Sequence, residues 1–306
     1  NYAAAQWGYN KALPVSTAVN VQQKYFFFDG FEEQTLLHPE ASNTMYRNSG
    51  YYLSPFTQLF GGTMQLIASA GYTNSNTISN SYILSRYGQS YHIPMHTSPV
   101  LSGLTLTSAT YHSGRHSLKV TSAQSVPISV SDALSEVPFY YNSNLCRSFD
   151  VRAIKSFQLQ RGRKYVYNCW VKPFSSGTSL NNLMFVNING SNLPLTPKSG
   201  NIDGWYLMEA VIDLKPYTNP STTLNVSLSL PANVYVDDVR MVPVDAGMKS
   251  FVYDPFTFRL SAQLDENHYT SFYEYDQEGL LVRVKKETDK GVVTISEHRR
   301  ANAKKP

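Results

Sequence analysis

Phe251-Val-Tyr253-Asp254-Pro-Phe-Thr-Phe-Arg259-Leu260 is echoed, 22 residues on, by Phe272-Tyr-Glu-Tyr275-Asp276-Gln-Glu-Gly279-Leu-Leu-Val-Arg283. Self-similarity at this period marks a repeat architecture. Each copy reads as an aromatic strand, a turn opened by Asp, and a second strand. Tyr253 and Tyr275 are expected to pack between hairpins, while Asp254 and Asp276 start their turns by bonding nearby backbone. Gly279 offers a residue free to take positive φ. The first copy has Asp254-Pro255 and no such glycine, so its turn must differ. A β-hairpin with one apolar face cannot cover that face itself. Two copies are too few to close a shell, so these hairpins must lean on the rest of the chain or on another protein.

The composition around this repeat is that of an all-β chain. Charged residues make up 16% of 306 residues, against roughly 25% in average soluble proteins. The 22 Tyr, with abundant Ser, Thr and Asn, favour strands and turns. The net charge is a mild +4, with Lys and Arg gathered toward the end, where 299–306 reads as a solvated basic tail; no nucleic-acid partner is expected. Two cysteines, Cys146 and Cys169, are too few for a disulfide scaffold; they could pair, or Cys169 could be a buried free thiol. No apolar run is long enough for a membrane-spanning helix. The chain starts at Asn1 without a visible signal peptide, and is read as a mature form or a fragment.

Short strands separated by Gly, Pro and Asn run from Leu104 onward, the pattern of a sandwich. In Lys164–Lys172, Tyr165, Tyr167, Cys169 and Val171 fall on one face, and Val166, Asn168 and Trp170 on the other. Asn189-Gly190 is a hairpin turn signal. The expected organisation is an extended lead-in over 1–24, a jelly-roll β-sandwich over 25–246 with a loop-rich insertion at about 35–105, and hairpin repeats over 247–298. The insertion is expected to hold one or two edge strands.

Asp29-Gly-Phe-Glu-Glu33, Ser113-Gly-Arg-His-Ser-Leu-Lys-Val120, Gly162–Lys172, Gly204-Trp-Tyr-Leu-Met-Glu209 and Tyr235-Val-Asp237-Asp238-Val-Arg240 occur in this order. Together they resemble the galactose-binding-like jelly rolls of carbohydrate-binding modules, except for the long insertion. The segment from Gly247 resembles the Tyr-Asp repeats of the Rhs/YD family. The whole arrangement is similar to large uncharacterised surface proteins of Bacteroidota. This resemblance implies a cell-surface or secreted location, and a larger scaffold or outer-membrane secretion complex as partner. It also implies a structural calcium ion joining the first and last strands, with Glu32 and Asp238 as ligands and carbonyls of the Ser113–Ser117 turn completing the shell.

A glycan would need aromatic platforms with polar edges, and Tyr51, Tyr52, Tyr140 and Tyr141 are the candidates. Trp170 and Trp205 lie in regular strands and read as core. His92/His96 and His112/His116 have the spacing of ligands on a helix face, but Pro94 and Gly114 break such a helix. Gly-x-Ser-x-Gly is absent. Asp237 and Asp238 are strand neighbours, expected to face opposite sides and so not to act together. The expectation is a non-catalytic module in which a glycan- or protein-binding sandwich is docked by its hairpins to a larger complex. The alternatives are a structural spacer or export region of a type 9-secreted protein and, further off, a hydrolase.

Overall fold

The computed structural model describes residues 3–9, 12–32, 103–131, 157–219, 221–254 and 256–298, with the backbone of strands at 72–78, 81–86, 89–94, 139–141 and 144–146. Every long element is a strand, and no α-helix occurs among the described residues. Three sheets are stacked. A five-stranded sheet (Gln158–Gln160, Gln124–Ser131, Val226–Leu230, Phe185–Ile188, Ser191–Pro194) faces a central one. The central sheet runs Thr196–Pro197, Tyr206–Asp213, Lys164–Pro173, Val234–Pro243, Ser117–Val120 and Leu104–Thr107, with Phe27–Asp29 also paired to Val234–Pro243. These two form a β-sandwich around one apolar core that includes Phe157, Tyr165, Tyr167, Met184, Val236 and Met241.

The third sheet is an antiparallel meander ordered Ala3–Gly8, Leu13–Val19, Gly247–Tyr253, Leu260–Leu264, Thr270–Tyr275, Leu281–Thr288 and Gly291–Glu297. The stretch read as a lead-in thus supplies two strands of this sheet. Leu13–Val19 pairs with Gly247–Tyr253, in the register Ser16↔Ser250. Residues 20–246, sandwich included, are therefore inserted between two neighbouring strands of the meander.

The meander covers the outer face of the central sheet. Phe26, Phe28 and Val242 meet Met248, Val252 and Leu264 in one apolar cluster, and Trp170, Trp205 and Leu207 meet Tyr269 and Val292 in another. This explains Lys164–Pro173: the Tyr165–Val171 side lines the sandwich core, while Trp170 packs beneath the meander. A sheet covered on both faces buries its strands along nearly their whole length.

The meander turns share one plan at half the apparent period. Asp254, Asp265 and Asp276 each open a turn, 11 residues apart. Their N–H groups donate to the carbonyls of Arg259, Tyr269 and Leu280. Asp254 Oδ1 accepts from Phe256 and Thr257, Asp265 Oδ1 from Asn267 and Tyr269, and Asp276 Oδ1 from Leu280. The residue before each closing position is left-handed: Phe258 (φ 58°), His268 (φ 71°) and Gly279 (φ 86°). The Asp254 turn is one residue longer than the other two. Tyr275 donates to the Leu260 carbonyl of the adjacent hairpin. Tyr253 packs edge-on against Tyr9, whose hydroxyl donates to the Tyr253 carbonyl.

Residues 72–94 differ from expectation. Tyr72–Ile78, Ser81–Arg86 and Gln89–Pro94 are three antiparallel strands, and Phe139–Tyr141 and Asn144–Cys146 extend them to a five-stranded sheet. Tyr72-Thr-Asn-Ser-Asn-Thr-Ile78 alternates among polar residues, so it lacks the apolar period that reveals a strand.

Candidate functional site

Where the central sheet meets the meander, ionisable side chains are gathered out of solvent. Asp237 and Asp238 lie on Val234–Pro243, but they are not on opposite faces. The register with Lys164–Pro173 slips between Asn168↔Arg240 and Trp170↔Asp237, and Asp238 sits at φ 45°. This bulge turns both carboxylates toward the loop at 112–116, correcting the sequence expectation. Asp237 Oδ2 accepts from the His112 amide (2.7 Å), and Asp238 Oδ1 accepts from Ser113 Oγ (2.8 Å).

His112 is the centre of the group. Its Nδ1 lies 2.7 Å from Asp238 Oδ2, and its Nε2 lies 2.7 Å from Glu287 Oε1, on the meander. Its ring stacks on Trp170 with centroids 4.0 Å apart and planes 15° apart. Burial by itself would lower the imidazole pKa. The Glu287 charge and the hydrogen bonds to Asp238 and Glu287 outweigh it and raise the pKa to about 10. The ring is an imidazolium donating from both nitrogens to carboxylates of two different sheets. Burial, and then the Asp238 charge, push the Asp237 carboxyl well above the usual range.

The surroundings complete the seal. Glu287 Oε2 accepts from the Thr270 amide (2.7 Å). His268 is held neutral by burial and then by the Arg240 charge, and its Nε2 meets the Asp238 carbonyl at 2.5 Å. Trp170 Nε1 donates to the His268 carbonyl (3.2 Å). Arg240 crosses the same boundary, donating to the carbonyls of Asp265 (2.9 Å) and Glu266 (2.7 Å).

Glu32 occupies a neighbouring pocket of donors. Its Oε1 accepts from the amides of Arg115 (2.6 Å) and His116 (2.7 Å), and its Oε2 faces His116 Nδ1 (3.1 Å). Gly114, at φ 64°, lies so close that a Cβ there would overlap the Glu32 carboxylate. The Gly-Phe-Glu and Ser-Gly-Arg-His-Ser segments are two halves of one contact.

Glu32 and Asp238 thus both reach the 113–117 loop, as the calcium reading requires, but the donor set does not fit a cation. The loop turns N–H and O–H groups to the carboxylates, where a metal shell needs oxygens. Among the described residues no group of three or more His, Cys, Asp and Glu is arranged to hold a metal ion. His112 and His116 contact carboxylates. Ser113 bonds to Asp238 and is buried, so the Ser, His and Asp here are no nucleophile triad.

Tyr51 and Tyr52 lie outside the described residues. Tyr140 and Tyr141 lie on a strand described by its backbone, with Tyr141 opposite Tyr91. Trp205 is buried against Trp170. Cys169 is a buried free thiol whose pKa burial raises to about 12. No helix among the described residues is long and apolar enough to cross a membrane. The basic strand 281–288 is partly neutralised, Arg283 by Glu274 and Glu297, and Lys285 by Glu274.

Sequence reasoning missed Glu287 and His268, and met His112 only as half of a metal-ligand spacing. A buried-histidine role leaves no local signal, because its partners lie 126 and 175 residues away. No family model and no curated protein matches the chain.

Proposed function

We propose that the chain is a non-catalytic binding and assembly module of a cell-surface or secreted protein, with a galactose-binding-like sandwich fastened to a meander of the Tyr-Asp type. One observation carries this reading: among the described residues, the group of ionisable side chains around His112 is closed to solvent and spent on joining two sheets. A catalytic carboxylate or imidazole has to reach a substrate. Here both nitrogens of His112 and the facing carboxylate oxygens are used internally. The three Asp-opened turns, spaced by 11, support kinship of the meander with Rhs/YD repeats. The chain's ligand is a glycan or a neighbouring protein, and the partner is a larger scaffold. The calcium ion is left out because the oxygens it would need are replaced by donors.

The test has two arms. Chromogenic glycosides, esters and peptides are expected to show no turnover; turnover that His112→Ala abolishes would overturn the reading. In the intact chain, Glu287→Ala is expected to speed hydrogen exchange across 247–297 more than across 164–243. Equal acceleration in both would mean that the cluster is not a fastening.

A further inference from the structure

At one end of the meander, the Asp254 and Asp276 turns lie side by side, each joining two neighbouring strands. That end carries a concentration of exposed apolar side chains. Phe256 is 78% exposed, Phe258 51% and Leu280 45%, with Leu281 beside them. Exposed apolar residues scattered singly are ordinary, but a contiguous group on one end of a fold marks a contact surface.

Phe258 sits in a backbone conformation that glycine adopts more readily. It occupies the left-handed position that Gly279 fills in the sister turn. A bulky residue there costs conformational energy, as it does at His268 in the third turn. Stability alone would favour Gly or Asn. In the turn that carries both rings, Asp254 Oδ1 accepts from the Phe256 and Thr257 amides, and Asp254 Oδ2 pairs with Arg115 at 2.5 Å. Arg115 in turn lies 5.5 Å from the Phe256 ring centroid. These contacts, with the Phe258 ring edge-on to Tyr9 at 6.1 Å, give each ring a partner before binding, which lowers the ordering cost.

Arg259 supplies the charge. Its guanidinium lies over Tyr275, 5.8 Å from the centroid, and wedges against Gly279, where a Cβ would overlap it. Among the described residues no carboxylate is within ion-pair distance of it. Aromatic residues beside arginine are the composition of protein-contact hot spots. Sugar hydroxyls would lose water against Leu280 and Leu281 without gaining partners there.

We propose that this end of the meander docks a protein segment that inserts an apolar side chain between Phe256, Phe258 and Leu280 and sets a carboxylate against Arg259. The proposal rests on the reading of the chain as a binding and assembly module. Turnover dependent on His112 would sink that reading, whereas peptides that ignore this surface would sink only the present one.

A phage-displayed library of random peptides, selected on the immobilised full chain, is the probe. It is expected to yield sequences pairing Asp or Glu with an aromatic or aliphatic residue. A synthetic peptide of that kind should bind Phe256→Ser/Phe258→Asn at least tenfold more weakly, and Arg259→Gln several-fold more weakly. Asn accepts positive φ but gives up the edge contact of Phe258 with Tyr9, so Arg259→Gln, which leaves both rings in place, is the variant that separates lost binding from lost folding. Three outcomes overturn the proposal. Selected peptides could bind both variants as tightly as the parent. Sedimentation could show self-association that the double variant abolishes, making the occupant a second copy. A glycan array could show binding lost in the double variant, making it a sugar.

Discussion

The two faces of the central sheet solve the same packing problem with opposite chemistry. The face toward the five-stranded sheet meets it through aliphatic and aromatic side chains, with Leu118 buried on the central sheet and Val186 and Leu228 on its partner. The face toward the meander combines two small apolar clusters with an ion-paired histidine, a buried arginine and two adjacent aspartates. Apolar contact is non-directional, so it stabilises the sandwich without dictating which register the meander adopts. Buried charge is directional and intolerant of error: a misplaced meander would strand His112 or Glu287 without a partner. The polar face thus contributes specificity of docking, and the apolar face contributes the bulk of the stability.

That contrast can be broken most directly at His112. His112→Ala leaves Asp238 and Glu287 facing each other across the boundary, and should cost about 3–5 kcal/mol by chemical denaturation. A cost below about 1 kcal/mol would show that the ion pairs are incidental. On the apolar face, Leu228→Ala should cost about 2–5 kcal/mol, as cavity formation in a packed core does.

The two faces also separate by pH. The folded pKa of His112, about 10, lies above its unfolded value near 6.5. Its contribution is complete below about pH 6.5 and fades as pH rises through about 10. Parent and Leu228→Ala should lose stability in parallel over that window, while a His112→Ala background should be flatter. Parallel slopes in all three would refute the buried imidazolium.

Gly114→Ala is expected to cost less, about 1–3 kcal/mol, by forcing a Cβ into the Glu32 carboxylate at positive φ. It should loosen the 112–116 loop and hence the polar face, visible as faster amide exchange at Arg115 and His116. The smallest effect expected is none. Adding a chelator should leave the melting midpoint unchanged, and a fall of several degrees would restore the cation between Glu32 and Asp238.

The apolar face was the legible one. Alternation in Lys164–Lys172 sorts Tyr165, Tyr167, Cys169 and Val171 from Trp170, and both sets are buried as that pattern requires. Asn189-Gly190 signals its hairpin, and both residues take positive φ (49° and 89°). The polar face was not legible. Its pairing depends on a bulge at Asp238 that no residue type announces, and on contacts spanning more than a hundred positions. The repeat was seen at twice its true spacing because Leu264-Asp265 lacks the tyrosine that marks the other two turns. In its place Tyr269 closes the Asp265 turn.

The insertion of residues 20–246 between paired neighbours Leu13–Val19 and Gly247–Tyr253 has a mechanical consequence. A pull applied at Ala3 and Glu297 travels through the ladder that joins Ser16 to Ser250, and on through the remaining meander strands. While that ladder holds, the sandwich hangs off the load path. A tethered molecule built this way would stretch by unzipping its outer strands first, keeping the sandwich slack and folded until Leu13–Val19 parts from Gly247–Tyr253.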